Sequence, residues 1–218
     1  MSDLCKGLSD SNIPTLYDSS KHIKLGKGES LFLDDDYADH IFNVKDGTVM
    51  LYRMGPAGQR QILRFLFSGD MIGLTTGETH GISAEACTSV GLCCWDRRKF
   101  EDFLTLFPAM DHQFHIVSSK ALTQSFDHTF SLGQLNAQQR VAAFILNLAQ
   151  RQADLGSAPD TLLLPMSRLD IADYLGLTIE TVSRELTKLK SNGFIALPTL
   201  DRLHLLNTSA LENLAEGR

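Results

Sequence analysis

Residues Ser167 to Ile195 read SRLDIADYLGLTIETVSRELTKLKSNGFI, and this stretch decides what the C-terminal part of the chain is. Ser167 is placed to cap a short helix ending at Gly176, and Thr178 to cap the helix that follows. Two short helices joined by a glycine-containing turn form a helix-turn-helix. The packing residues agree. Ala172 is small where the helices must approach, Gly176 tolerates positive φ in the turn, and Ile171, Leu175 and Val182 supply apolar contact.

At about 100° per residue, the second helix sorts its side chains onto two faces. Val182, Leu186 and Leu189 fall on one, and Glu180, Ser183, Arg184 and Thr187 on the opposite one. That polar face is short-branched and mixed, unlike the Lys and Glu of a solubilising surface. Arginine can donate two hydrogen bonds to guanine, and glutamate can accept from cytosine. Such groups near a helix N-terminus fit the end that enters a major groove. Lys188 and Lys190 lie farther along, where phosphate contacts are expected. Beyond Gly193, the run Phe194 to Leu197, a turn over Pro198 to Asp201 and the run Arg202 to Leu206 predict a hairpin, the wing.

Working outward, Asn136 is a candidate cap for a helix reaching about Ala153, with Val141, Phe144, Ile145 and Leu148 on its apolar face. From Met110 to Leu132 there is neither Gly nor Pro, which predicts one helix roughly 35 Å long, ended by Gly133. Met110, Phe114, Val117 and Ala121 keep the 4-3-4 spacing of a coiled-coil seam. The same seam continues to Gln124 and His128, which are poor core residues. Leu122, Phe126 and Phe130 form a second stripe. Either the helix packs only on its own domain, or it has two partners, its own domain and a second subunit. The dimer seam is assigned to the first stripe.

Between His22 and Trp95 the chain is broken by glycine turns, with short apolar or alternating runs between them: Ser30 to Leu33, Ile41 to Val44, Thr48 to Tyr52, Gln61 to Phe67 and Val90 to Trp95. Many short strands at close spacing predict a sandwich or barrel. Asp46-Gly47 is a hairpin signal. At 43% hydrophobic, the 218 residues can bury a core, but no run approaches a membrane span, and the N-terminus lacks the features of a signal peptide. A cytoplasmic protein is expected. The net charge of -6 argues against nucleic acid as a partner of the whole chain, though a DNA-binding module needs only a local basic face. Thr178 to Lys190 carries three basic and two acidic residues, so local charge does not decide the matter.

These residues resemble the CRP/FNR superfamily of bacterial regulators over nearly the whole chain. Two segments carry the resemblance most specifically. QLNAQQRVAAFILNLAQR, Gln134 to Arg151, is similar to the opening helix of FNR-type DNA domains, and TIETVSR, Thr178 to Arg184, has the Glu-x-x-Ser-Arg pattern of the FNR and FixK branch. The resemblance implies an α+β chain: an N-terminal β-roll of the cyclic-nucleotide-binding, jelly-roll type over 1–109, a long dimerisation helix over 110–133, and a winged helix-turn-helix over 134–218. It implies a homodimer that binds a palindromic operator in double-stranded DNA, works with RNA polymerase and activates genes for low-oxygen metabolism. Glu180, Ser183 and Arg184 would read a TTGA-type half-site, with Thr187, Lys188, Thr178 and Ser167 as further DNA contacts. Glu185 departs from the pattern, since relatives usually carry an apolar residue beside the recognition Arg.

Cyclic-nucleotide binders of this superfamily use a Gly-Glu pair and an Arg-Ser/Thr-Ala run. Here the corresponding stretches are Gly73-Leu74 and Ile82-Ser83-Ala84. Leucine cannot accept from a ribose hydroxyl and isoleucine cannot neutralise a phosphate, so cyclic-nucleotide binding is not expected. Gly77-Glu78 is a displaced match with nothing downstream to support it. No cofactor and no metal are expected. Cys5, Cys87, Cys93 and Cys94 do not have the spacing of a four-thiolate cluster, and Cys93 and Cys94, adjacent on a strand, face opposite ways. His80, His112, His115 and His128 are the candidates for haem or metal; His112 and His115, at i and i+3, lack a third ligand. A sensor regulated by haem or another small ligand remains the alternative. A β-roll metalloenzyme would need clustered His and Glu, and His22 and His40 are too sparse for one.

Overall fold

The computed structural model describes residues 20–156 and 161–218, which form two compact units, up to Phe126 and from Asp127 onward. Cys5 lies outside the described residues.

The first unit is a β-roll. Its strands are β1 (Lys21–Leu25), β2 (Ser30–Phe32), β3 (His40–Asp46), β4 (Val49–Met54), β5 (Arg60–Leu66), β6 (Met71–Ile72), β7 (Ser83–Ala86) and β8 (Val90–Asp96). They make two four-stranded sheets, ordered β1-β8-β3-β6 and β2-β7-β4-β5. All the pairings are antiparallel, as in Phe42 opposite Cys94 and Val49 opposite Leu66. The alternation along β8 shows how one strand serves two cores. Val90, Leu92 and Cys94 face Val44, Val49 and Leu66 between the sheets, while Cys93 and Trp95 face the other way. Two adjacent cysteines thus occupy two different apolar clusters, and neither forms a disulfide among the described residues.

Asp46-Gly47 is not a hairpin. β3 and β4 belong to different sheets, and the chain crosses between them here. Gly47 has φ of 85°, and a Cβ on it would stand 2.3 Å from the Ser89 carbonyl oxygen, so glycine is required by the crossing itself. The hairpin of this region joins β4 to β5.

Helix α1 (Arg97–Leu106) follows β8, with the Asp96 side chain accepting from the Lys99 amide. Helix α2 then runs over Pro108–Gln134, starting on a proline whose missing N–H costs nothing at that position. Gly133 does not end α2; the helix passes through it to Gln134, because a single exposed glycine only weakens a helix. Met110 is fully buried and Phe114 and Val117 are partly buried, all against Ile41, Met71, Cys93, Trp95 and Phe100 of their own unit. The Phe100 and Phe114 rings stand edge to face at 5.7 Å. Met110 is therefore not a subunit contact, since its own chain already covers it. Leu122, Phe126 and Phe130 are exposed.

The second unit contains α3 (Ala137–Asp154), β9 (Thr161–Leu163), α4 (Arg168–Leu175), α5 (Ile179–Ser191), β10 (Ile195–Thr199), β11 (Arg202–Leu205) and α6 (Thr208–Ala215). Asn136 and Gln139 form a reciprocal capping box at the start of α3. Val141, Phe144, Ile145 and Leu148 are buried as the spacing predicts. The wing is a three-stranded sheet, ordered β10-β11-β9. Its turn is shorter than the sequence implied: Pro198 lies inside β10, at the irregularity between Ala196 and Thr199 where no ladder donor is needed. β9 is three residues long and pairs with residues about forty positions away, so no local pattern announces it.

Candidate nucleic-acid interface

Helices α4 and α5 carry the site. Ser167 caps α4: its hydroxyl accepts from the Asp170 amide at 3.1 Å and donates to the Asp170 carboxylate at 2.7 Å. Gly176 ends α4 with φ of 62°. The turn leads to Thr178, whose hydroxyl accepts from the Thr181 amide at 3.2 Å and caps α5. Ile171, Ala172, Leu175, Val182, Leu186 and Leu189 are buried and lock the two helices together. This is the helix-turn-helix geometry, and its caps are what fix the direction in which α5 points.

Glu180, Ser183, Arg184 and Thr187 share one exposed face of α5. The Arg184 guanidinium donates to the Thr181 hydroxyl at 3.2 Å, and the Thr187 hydroxyl to the Ser183 carbonyl at 2.8 Å. The helix's own amide at Glu180 and then the Thr178 hydroxyl hold the Glu180 carboxyl below its usual range, so it is a ready acceptor at neutral pH. Lys188 is exposed at the edge of the same face, but its ammonium is paired with Glu185 at 2.8 Å. Ser167 and Thr178 are exposed yet already engaged as caps.

Sequence reasoning assigned no role to Arg140. Its guanidinium donates to three carbonyls, those of Leu132 at 2.7 Å, Leu135 at 2.8 Å and Leu175 at 2.9 Å. These carbonyls lie at the end of α2, in the following link and at the end of α4, so one side chain satisfies two helix ends and the link between α2 and α3, and ties the segments together. Beside it, His128 stacks on Tyr174 with the rings 4.0 Å apart and nearly parallel. Burial, and then the charge of Arg140, lower the His128 pKa to about 4. An arginine in the first turns of an otherwise amphipathic helix was the only sequence signal for this joint.

The other candidates are dispersed. His80 is buried in the β-roll and stacked on Phe32 at 3.6 Å; burial, and then Arg97, lower its pKa. His112 and His115 are exposed on α2. Among the described residues, no group of three or more His, Cys, Asp or Glu side chains could hold a metal ion. The segment matching the nucleotide positions is pinned from below, with Arg97 donating to the carbonyls of Gly73 at 2.7 Å and Thr75 at 2.8 Å. Leu74 is exposed there, and Ile82 packs into the core.

Residues 139–214 match the Crp-like helix-turn-helix domain family, and residues 22–106 match the cyclic nucleotide-binding domain family. The nitrogen fixation regulation protein FixK of Bradyrhizobium diazoefficiens is 36% identical over 214 residues, which is 98% of this chain and 90% of that one. The chain belongs to the CRP/FNR family of transcription regulators. Another CRP/FNR relative, the transcriptional activatory protein AadR of Rhodopseudomonas palustris, is 35% identical over 90% of this chain and 82% of its own. The solved structure of FixK2 from Bradyrhizobium japonicum superposes with a TM-score of 0.83 at 32% identity, covering 89% of this chain and 96% of that one. This CRP/FNR member is a DNA-binding regulator of transcription, not an enzyme. No described helix is long and apolar enough to cross a membrane.

Proposed function

We propose that this regulator acts in the cytoplasm as a two-fold homodimer on an inverted repeat of TTGA-type half-sites, and with RNA polymerase activates genes for low-oxygen metabolism. The observation that carries the reading is the exposed row Glu180, Ser183, Arg184 and Thr187 on a capped α5, with Arg184 steadied by Thr181. Each half-site is read by Glu180, Ser183 and Arg184. Lys188 and Thr187 lie toward the backbone, and Thr178 and Ser167 sit at helix starts where amides and hydroxyls meet phosphates. The names of the relatives, nitrogen fixation regulation and transcriptional activation, support the class of target genes.

The second copy sits on the exposed Leu122, Phe126 and Phe130 stripe. Apolar side chains at i, i+4 and i+8 on an otherwise solvated helix call for a partner, and the same stripe on a two-fold mate is self-complementary. Ala121 borders it, whereas Phe114 and Val117 serve the β-roll. On this reading Leu74 and Ile82 leave the β-roll without polar anchors for a cyclic nucleotide, and Cys93 and Cys94, held in separate clusters, do not join in one iron–sulfur site. Genome-wide mapping of bound sites tests the proposal. Recovery of inverted TTGA-type repeats, with half-sites about one helical turn apart, is expected. Sites with no shared dyad would sink it.

A further inference from the structure

Glu185 follows Arg184 in sequence, yet its side chain is only 7% exposed. Oε1 accepts from Lys188 Nζ at 2.8 Å, and Oε2 is buried with no hydrogen-bond partner among the described residues. Lys188 is 51% exposed and lies one turn beyond Arg184, at the edge of the base-reading face. Packing does not ask for a carboxylate here. Val182, Leu186 and Leu189 already form the buried face, and an apolar side chain at 185 would extend it without desolvating a charge. A half-satisfied buried carboxylate whose cation points at the DNA side needs a reason outside the core.

We infer that Glu185 limits non-specific DNA binding by holding the Lys188 ammonium in a neutral pair. The inference rests on the reading that α5 enters the groove. A phosphate that approaches Lys188 also approaches the carboxylate behind it, and a sheltered charge is screened less by salt than an exposed one. Lys188 then releases fewer counterions than a free lysine, and each full phosphate contact is worth about 0.9 in the slope of log affinity against log salt. Base contacts by Glu180, Ser183 and Arg184 do not pass through this pair. The chain, at net charge -6, thereby derives a larger share of its operator affinity from bases than it would with a free Lys188.

The test uses the full chain with two duplexes: an inverted repeat of TTGA-type half-sites and a random sequence, titrated from about 0.05 to about 0.3 M salt, over which the Debye length falls from roughly 14 to roughly 6 Å. For Glu185→Gln, binding to the random duplex should tighten roughly five-fold per subunit at about 0.15 M salt, and its slope should steepen by about 0.9 per subunit. Adding Lys188→Gln to that variant should remove the whole increment. Glu185→Met, which keeps the stem and loses the charge, should reproduce it, and circular dichroism checks that each variant is folded. An unchanged slope in both Glu185 variants, or an increment that survives Lys188→Gln, overturns the inference. If the wild type discriminates between the two duplexes while Glu185→Gln changes nothing, only this inference fails. If the wild type does not discriminate, the base-reading proposal fails as well.

Discussion

Arg184 shows what a single side chain contributes to reading. It is exposed and steadied by Thr181, within reach of a guanine edge once α5 lies in the groove. Arg184→Ala should weaken operator binding by about 1–3 kcal/mol and relax discrimination at one base pair. A band-shift series over single-base operator variants measures this, and equal losses at every position would refute the assignment. His128 is a residue of the opposite kind, half-buried for structure. Its pKa is held at about 4, first by burial and then by Arg140, while an unfolded histidine titrates near 6.5. Below pH 6.5 the unfolded chain takes a proton that the folded one refuses. The stability that neutral His128 contributes is therefore complete above pH 6.5 and is lost as pH falls toward 4. The slope is at most about 1.4 kcal/mol per pH unit, and less after solvent screening. His128→Phe keeps the stack on Tyr174 without a titrating group. Thermal melting between pH 4 and 7 should show a shallower acid decline for this variant, and identical declines would contradict the account.

At the scale of elements, the long helix divides its duties by length and by face. Its first turns bury Met110 and lay Phe114 and Val117 on the β-roll. Leu122 and Phe126, farther along, are left exposed. Its end gives carbonyls to Arg140. The two stripes therefore predict different failures. Phe114→Asp removes a ring packed on Phe100 and buries a charge, so it should unfold the β-roll, by upward of about 3 kcal/mol in urea. Phe126→Asp should leave the circular dichroism spectrum intact and halve the mass in sedimentation. If Phe126→Asp sediments as the wild type does, the second copy does not sit on this stripe. The 4-3-4 spacing was legible in the sequence, but spacing alone does not say which of two apolar stripes a domain will cover.

For the molecule as a whole, the β-roll belongs to a fold whose name describes nucleotide binding, while Leu74 and Ile82 stand at the two positions that the resemblance assigns to its polar anchors. Ile82 is half-buried against the core, Leu74 offers no acceptor, and Arg97 spends its donors on the carbonyls of Gly73 and Thr75. Calorimetric titration with cyclic AMP should give no binding heat in the micromolar range, and operator affinity should not change on adding it. Micromolar binding would show that other groups on the β-roll replace the missing anchors. Fold and site thus separate here: matching a family over residues 22–106 establishes how the chain folds, and the side chains decide what it holds.

What depends on near neighbours along the chain was legible before folding. Caps at Ser167, Asn136 and Thr178, the glycine at 176, and the two faces of α5 act over three or four residues, and all stand where their spacing puts them. The folded chain set what depends on distant partners. It sent the chain across from β3 to β4 where a local turn signal predicted a hairpin, since pairing is chosen by which sheet completes the core. It added β9 to the wing through partners some forty residues away. It turned Arg140 into a clasp and Glu185 into a buried anion beside Lys188, because burial and hydrogen bonding are set by whatever packs alongside, and a helical wheel does not contain that information.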